Sequence, residues 1–279
     1  MTDECIHGFE RELCDICAPR KREGAADGMP STAARSVTTR RRPSNRKPES
    51  LRSTPALARD SAAVAVAAQS AAAPVPEFST QRAYHWTHVS NLPAILEAGA
   101  LLAGATPVLD VSSEATRALR ASVTTASGQP VAAHVPFSLS PHATAWDAVR
   151  TGAEGYEWSE AARQARAIDF VMLVVPVASL GDDFVVTEGD AAVEGVRAAA
   201  GLDDASSMVR RFGLKDPDLL GPEVLVPGSV PFASVTLVGV PNDKVRDAVK
   251  QTLADLGDAA PRVAVYPPWF RPAPAVDAV

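Results

Sequence analysis

The chain has 279 residues, 46% of them hydrophobic and 22% charged, with a formal net charge of -6. Such a composition supports one substantial core or two small ones, and excludes both a wholly disordered chain and a miniprotein. At face value the acidity also argues against a polyanionic partner, but the average hides a split: residues 18 to 60 hold eleven Lys and Arg against four Asp and Glu, a local charge of +7, and the rest is acidic.

All three cysteines, Cys5, Cys14 and Cys17, fall within the first seventeen residues. No disulfide framework therefore holds the main body together. With His7 they form the spacing C-x-H-x6-C-x2-C. Thiolate and imidazole are the usual ligands of tetrahedral zinc, and four of them would close the site, making it structural. A knuckle this small (residues 1 to 17) has almost no apolar core, so metal binding would supply most of its folding energy. The plainer alternative is free thiols in a frayed terminus. Residues 18 to 80, rich in Ala, Ser, Pro and Arg and including Arg40, Arg41 and Arg42, show no apolar periodicity and read as a disordered basic linker. The Ala/Val stretch from Ala62 to Ala73 is too short and too weakly apolar to span a membrane. No secretory signal opens the chain, so a cytoplasmic address is expected.

From Tyr84 the pattern changes to regular elements. A strand with aromatic and imidazole groups, Tyr84-His85-Trp86-Thr87-His88, leads into a short helix capped by Ser90 or Asn91 and stopped at Gly99. A second helix over Glu114 to Arg120 follows Ser112 and Ser113. Next come a strand at His134 to Leu139, helical pieces at Ala143 to Thr151 and Trp158 to Ala167, and the strongest strand, Phe170 to Val177. Further strands are predicted at Phe184 to Thr187, Glu223 to Val226, Ser234 to Val240 and Arg262 to Tyr266, with helices at Ala191 to Ala199 and Asp243 to Leu256. The irregular mixture favours an α+β domain over residues 81 to 271, followed by a tail from 272 to 279.

Three stretches carry more than packing residues. At the first strand, His85 or Thr87 can face a ligand while Trp86 packs inward, although a structural role fits the pattern equally well. His134-Val135-Pro136-Phe137-Ser138-Leu139 alternates between prolines and also fits an ordinary edge strand. Glu223 stands at the first position of a short apolar strand, just after the breaker-rich loop Asp216 to Pro222. Taken alone, it fits an exposed edge residue.

Together and in this order, "YHWTHVSNLPAILEAGALL", "HVPFSLSP", "PEVLVPGSVP" and "RVAVYPPWF" resemble the DarT family of DNA ADP-ribosyltransferase toxins, from about Arg82 to Phe270. The resemblance implies an ADP-ribosyltransferase-like split mixed β-sheet with flanking helices. It places the catalytic glutamate on Glu223 and the NAD contacts on His85, Thr87 and Asn91. The family's essential arginine falls on Arg120 or Arg117, three apart on one helical face, with Arg120 favoured. One departure stands out: where the family often has His or Asn in its turn, this chain reads Thr187-Glu188-Gly189-Asp190, which adds a carboxylate near the substrate.

The chemistry implied is NAD-dependent transfer of ADP-ribose to a base of single-stranded DNA, through an oxocarbenium-like state that a carboxylate stabilises. Glu223 acts as general base, and NAD is the co-substrate. Single-stranded DNA is favoured because a paired base edge would first have to be opened. Trp146, Tyr156 and Trp158 are candidates for base stacking, with core or surface packing as the alternative. An antitoxin that removes the modification is the implied partner, and no membrane is expected. The alternatives are RNA or protein as acceptor, and an inactive nucleic-acid-binding member of the fold.

Overall fold

The computed structural model describes residues 77–272. Strand β1 (Arg82–His88) is followed by helix α1 (Leu92–Ala98). Gly99 closes that helix in a left-handed conformation, φ 66°, with its N–H donating to the Leu96 carbonyl, the conformation glycine adopts without a Cβ penalty. After β2 (Ala100–Leu102) comes helix α2 (Glu114–Ser122), started by Ser113, whose Oγ accepts the Thr116 N–H at 3.1 Å. Then follow β3 (His134–Ser138), α3 (Thr144–Arg150), α4 (Glu160–Gln164), β4 (Phe170–Pro176), β5 (Val185–Thr187), β6 (Ala198–Ala200) and α5 (Leu202–Gly213). The chain ends with β7 (Glu223–Pro227), β8 (Ser229–Pro231), β9 (Leu237–Val240), α6 (Asp243–Thr252) and β10 (Arg262–Val265).

Eight strands form one sheet in the order β10-β9-β4-β1-β3-β7-β5-β6, and β2 and β8 pair separately. The β9 and β10 pair is parallel and the other pairs are antiparallel, so the sheet is mixed, as expected of an α+β domain. Both faces are covered. Along β4 the side chains of Val171, Leu173 and Val175 enter one core, with Leu92 from α1, Met208 and Val209 from α5 and Val249 from α6. The alternate residues Phe170, Met172 and Val174 enter a second core with Trp146, Val149 and Phe270. A strand buried on both faces reads as a continuous apolar run, which is why Phe170 to Val177 is the strongest strand in the sequence.

Some expectations need correction. The helix expected at Ala191 to Ala199 does not form. Gly195 takes φ 78°, and Ala198–Ala200 pair with Val185–Thr187 as β6. Alanine propensity is a weak prior that strand pairing overrides. The twelve-residue helix α5 is an addition to the expected elements, although Leu202, Ala205, Met208, Val209 and Phe212 lie at helical spacing. The strand expected from Ser234 begins only at Leu237 because Phe232–Ser234 form a 3-10 turn. Trp146 is not a stacking platform: it is 0% exposed, and its Nε1 donates to the Trp269 carbonyl at 2.6 Å. Among the described residues, no helix is long and apolar enough to cross a membrane, and no cluster of His, Cys, Asp and Glu is set to hold a metal ion. The zinc candidates Cys5, His7, Cys14 and Cys17 lie outside the described residues, as do residues 18 to 76 of the linker.

Candidate active site

β1 pairs with β4 along its whole length, from Arg82 opposite Pro176 to His88 opposite Phe170. With β3 it shares only the pair Tyr84 and Ser138. Beyond that point the two strands part, and a cleft of about 630 Å³ opens, lined by His85, Thr87 and Asn91 on one wall and by His134, Val135 and Pro136 on the other. Strand alternation puts Ala83, His85 and Thr87 on one face of β1 and Tyr84 and Trp86 on the other. There Trp86 packs against Trp146, Trp158 and Phe170, with ring centroids 5.4, 6.4 and 6.3 Å away.

His85 spans the opening. Its Nδ1 lies 2.9 Å from the Pro136 carbonyl of β3, and because a carbonyl only accepts, Nδ1 carries the proton. Burial pushes the imidazole below its ordinary pKa, with that hydrogen bond opposing. The ring is then neutral near pH 7 and its Nε2 remains an acceptor. The buried Thr87 hydroxyl accepts from Asn91 Nδ2 at 3.0 Å and keeps its own proton to donate. Asn91 also donates Nδ2 to the Leu109 carbonyl at 3.0 Å and accepts the Leu109 N–H at 2.9 Å. Both amide donors are therefore engaged, and Asn91 pins the Leu109 loop, itself part of the cleft lining, to the end of β1.

Glu223 opens β7 between two strands, opposite Ser138 of β3 and Thr187 of β5. Its side chain is 16% exposed and lies 3.4 Å from Arg120 Nη2. The Ala191 N–H donates to the same Oε2 at 3.4 Å. Burial raises the Glu223 carboxyl above its ordinary pKa; Arg120 lowers it, and the nearby Asp190 raises it. Arg120, from the last turn of α2, lines the cleft and joins it to Glu223, which is not itself part of that lining. Its Nη1 donates to Asp190 Oδ1 at 3.2 Å.

The two arginines thus separate. Arg117 also lines the cleft, but it pairs with Asp110 at 2.8 Å and donates to the Ser112 carbonyl at 2.6 Å, away from Glu223. The structure brings Arg120 to Glu223 and places His85, Thr87 and Asn91 along one wall. Sequence reading missed Asp110 and the Ala191 N–H. Asp110 could have been suspected from its seven-residue spacing to Arg117 across a capped helix start. A backbone donor from a loop leaves no such trace.

The family model for DarT, described as ssDNA thymidine ADP-ribosyltransferase, matches residues 84–271. The chain belongs to the DarT family. As a DarT protein it is an NAD-dependent ADP-ribosyltransferase acting on single-stranded DNA. DarT of Thermus sp. 2.9 in complex with ADP-ribosylated ssDNA is 21% identical with a TM-score of 0.59, over 68% of this chain and 96% of that one. The same protein in complex with NAD+ is 23% identical with a TM-score of 0.55, over 68% and 98% of the two chains. DarTG of Thermosipho africanus in complex with ADP-ribose is 19% identical with a TM-score of 0.53, over 68% of this chain and 51% of that one. At these identities the likeness is one of fold. No curated protein matches the chain.

Proposed function

We propose that the cleft between β1 and β3 takes NAD, and that Glu223 is the general base for transfer of ADP-ribose to a thymine ring nitrogen in single-stranded DNA. The observation that carries this reading is the Arg120 to Glu223 contact, 3.4 Å, at the edge of the cleft. The DarT description as a thymidine transferase supports thymine as the acceptor, and the Thermus neighbours solved with NAD+ and with ADP-ribosylated ssDNA support both substrates.

The residues present fit NAD. About 630 Å³ suits a ligand of its class. The polar wall offers a neutral imidazole acceptor and a hydroxyl, and Arg120 is the cation facing the cleft with least exposure, 18% against 51% for Arg117. When bound, NAD supplies the ADP-ribosyl group and nicotinamide as leaving group. His85 Nε2 would accept from a ribose hydroxyl, and Thr87 would donate beside it. Asn91 works indirectly, by holding the Leu109 loop over the cleft. Arg120 holds the Glu223 carboxylate and offers charge to the diphosphate. Glu223, once ionised, stabilises positive charge at the reacting ribose carbon and accepts the proton of the acceptor ring N–H, which frees that nitrogen's electron pair for the new bond. Its raised pKa brings it nearer the range where a base is effective.

From its sequence we also propose that the chain divides at residues 17, 80 and 271 and works in the cytoplasm. The spacing of Cys5, His7, Cys14 and Cys17 supports one structural zinc; metal analysis of purified protein should find about one zinc per chain, lost in Cys14→Ser. An antitoxin that reverses the modification is proposed as partner, supported by the DarTG neighbour, of which the chain spans about half.

The test is incubation with labelled NAD and single-stranded oligonucleotides with and without thymine. Label is expected on thymine-containing strands, with one nicotinamide released per ADP-ribose, and mass spectrometry should return modified thymidine. Equal labelling of thymine-free strands would overturn the acceptor, and no labelling of either would overturn the activity.

A further inference from the structure

Arg120 does not serve Glu223 alone. Its Nη1 donates to Asp190 Oδ1 at 3.2 Å while its Nη2 lies 3.4 Å from Glu223 Oε2. Asp190 Oδ1 also accepts the Ala192 N–H at 2.9 Å, and the intervening Ala191 N–H reaches Glu223 at 3.4 Å. Thr187, which stands opposite Glu223 across the β5 and β7 pair, closes the same turn by donating Oγ1 to the Gly189 carbonyl at 2.6 Å. The turn from Thr187 to Ala192 therefore does two things at once. It presents a carboxylate to Arg120, and it aims a backbone N–H at Glu223.

We propose that Asp190 is a positioning residue for the transfer reaction, acting through Arg120 and through the Ala191 N–H to fix the orientation and charge state of Glu223. The proposal rests on Glu223 being the base, as argued above. One guanidinium stands between two carboxylates, Glu223 at 16% side-chain exposure and Asp190 at 54%, so the cluster carries a net negative charge. The charged groups facing Glu223 are Arg120 from α2 and Asp190 from the β5 to β6 turn. Ser138 and Thr187, its partners on β3 and β5, are neutral.

A guanidinium held by one carboxylate swings about its stem, and one held by two is fixed as a fork. With the Asp190 charge removed, Arg120 turns fully to Glu223, the repulsion that adds to the effect of burial on the Glu223 carboxyl is gone, and the carboxyl ionises at lower pH. This agrees with Asp190 raising the Glu223 pKa in the intact protein. Asp190 faces solvent over half its surface, so its side chain acts on the site without forming part of the core.

The test compares wild type with Asp190→Asn, which keeps an acceptor for the Ala192 N–H, and Asp190→Ser, a smaller cap that checks the first result if Asn disturbs the turn. Carbon-13 NMR titration of the Glu223 carboxyl, assigned with Glu223→Gln, reads the charge effect without requiring turnover. The midpoint should fall in both variants, and an unchanged midpoint overturns the proposal. In the transfer assay, kcat at neutral pH should drop about tenfold as the fixed geometry is lost. KM for NAD should stay near wild type, and the acid limb should move to lower pH. A lower KM with unchanged kcat would make Asp190 a competitor for Arg120 and overturn its positioning role. Failure of wild type to transfer ADP-ribose would sink the parent reading, and with it the positioning role, whatever midpoint the titration returns.

Discussion

Strand β1 meets its two neighbours in opposite ways. Toward β4 all seven residues from Arg82 to His88 are paired, and toward β3 only Tyr84 is. The paired edge faces a strand buried on both sides, with Val171 to Val175 at 0% exposure. The open edge faces a cleft bridged by the His85 side chain, bonded to the Pro136 carbonyl. One strand can therefore be rigid and accessible together. The ladder with β4 fixes where His85 and Thr87 point, and the missing ladder with β3 leaves room for a ligand. This division predicts that changes on the closed edge cost stability and changes around the cleft cost chemistry.

The sharpest separation is expected at Glu223. Glu223→Gln keeps the shape and removes the base, so transfer should fall about a thousandfold. Stability should move the other way. Burial raises the Glu223 carboxyl above its ordinary pKa, with Arg120 opposing and Asp190 adding. A carboxyl whose folded pKa is raised contributes stability below its unfolded pKa and loses it as pH rises through the folded value. Above that folded value the buried charge is a cost, and the amide removes it. A melting temperature equal to or above wild type, together with lost transfer, is the expected pair of results; a large drop in melting temperature would mean that the Arg120 contact holds the fold. In wild type the same shift places the acid limb of the transfer rate above the ordinary carboxylate range, with activity lost as pH falls.

On the closed edge, Leu173 stands opposite His85 and is fully buried. Leu173→Ala should cost about 2–5 kcal/mol by denaturant titration, while transfer per folded molecule stays near wild type. Equal losses of both would erase the proposed division. The arginines divide the cleft itself. Arg120→Ala should lower transfer about a hundredfold because it touches Glu223, and Arg117→Ala, which loses only an exposed pair with Asp110, should lower it a few-fold at most. The reverse ranking would return the role to Arg117.

The sequence made the closed side legible and the open side only partly so. Phe170 to Val177 announces a doubly buried strand by its unbroken apolar run, and the Ser113 and Gly99 caps mark helix ends by local chemistry alone. The approach of Arg120 to Glu223 spans 103 positions, so no local pattern could choose between Arg120 and Arg117; the family resemblance narrowed the choice to a helical face, and tertiary packing brings Arg120 rather than Arg117 to Glu223. β6 reads as helix in the sequence because an alanine run has helical propensity, and only the edge of β5 turns it into a strand. Asp190 is visible as a departure in the turn after Thr187, but its charge suggests conflict with the substrate. Folding instead gives that charge to Arg120.

A smaller effect than at Arg120 is expected at Asn91, and it tests whether the cleft wall is held separately from the ladder. The side chain is 5% exposed and makes three hydrogen bonds, to the Thr87 hydroxyl and to both backbone groups of Leu109. Asn91→Ala strands the Leu109 N–H and carbonyl, and should cost about 1–3 kcal/mol. The β1 and β4 ladder does not involve the amide, so His85 keeps its place and kcat should change little. The Leu109 loop lines the cleft, and once released it should raise KM for NAD about tenfold, roughly the effect of 1.4 kcal/mol on binding. If kcat collapses while KM holds, Asn91 acts on the reacting groups directly. If neither changes, the loop is fixed by other contacts, among them the bond from the Ser159 hydroxyl to the Asp110 carbonyl at 2.6 Å.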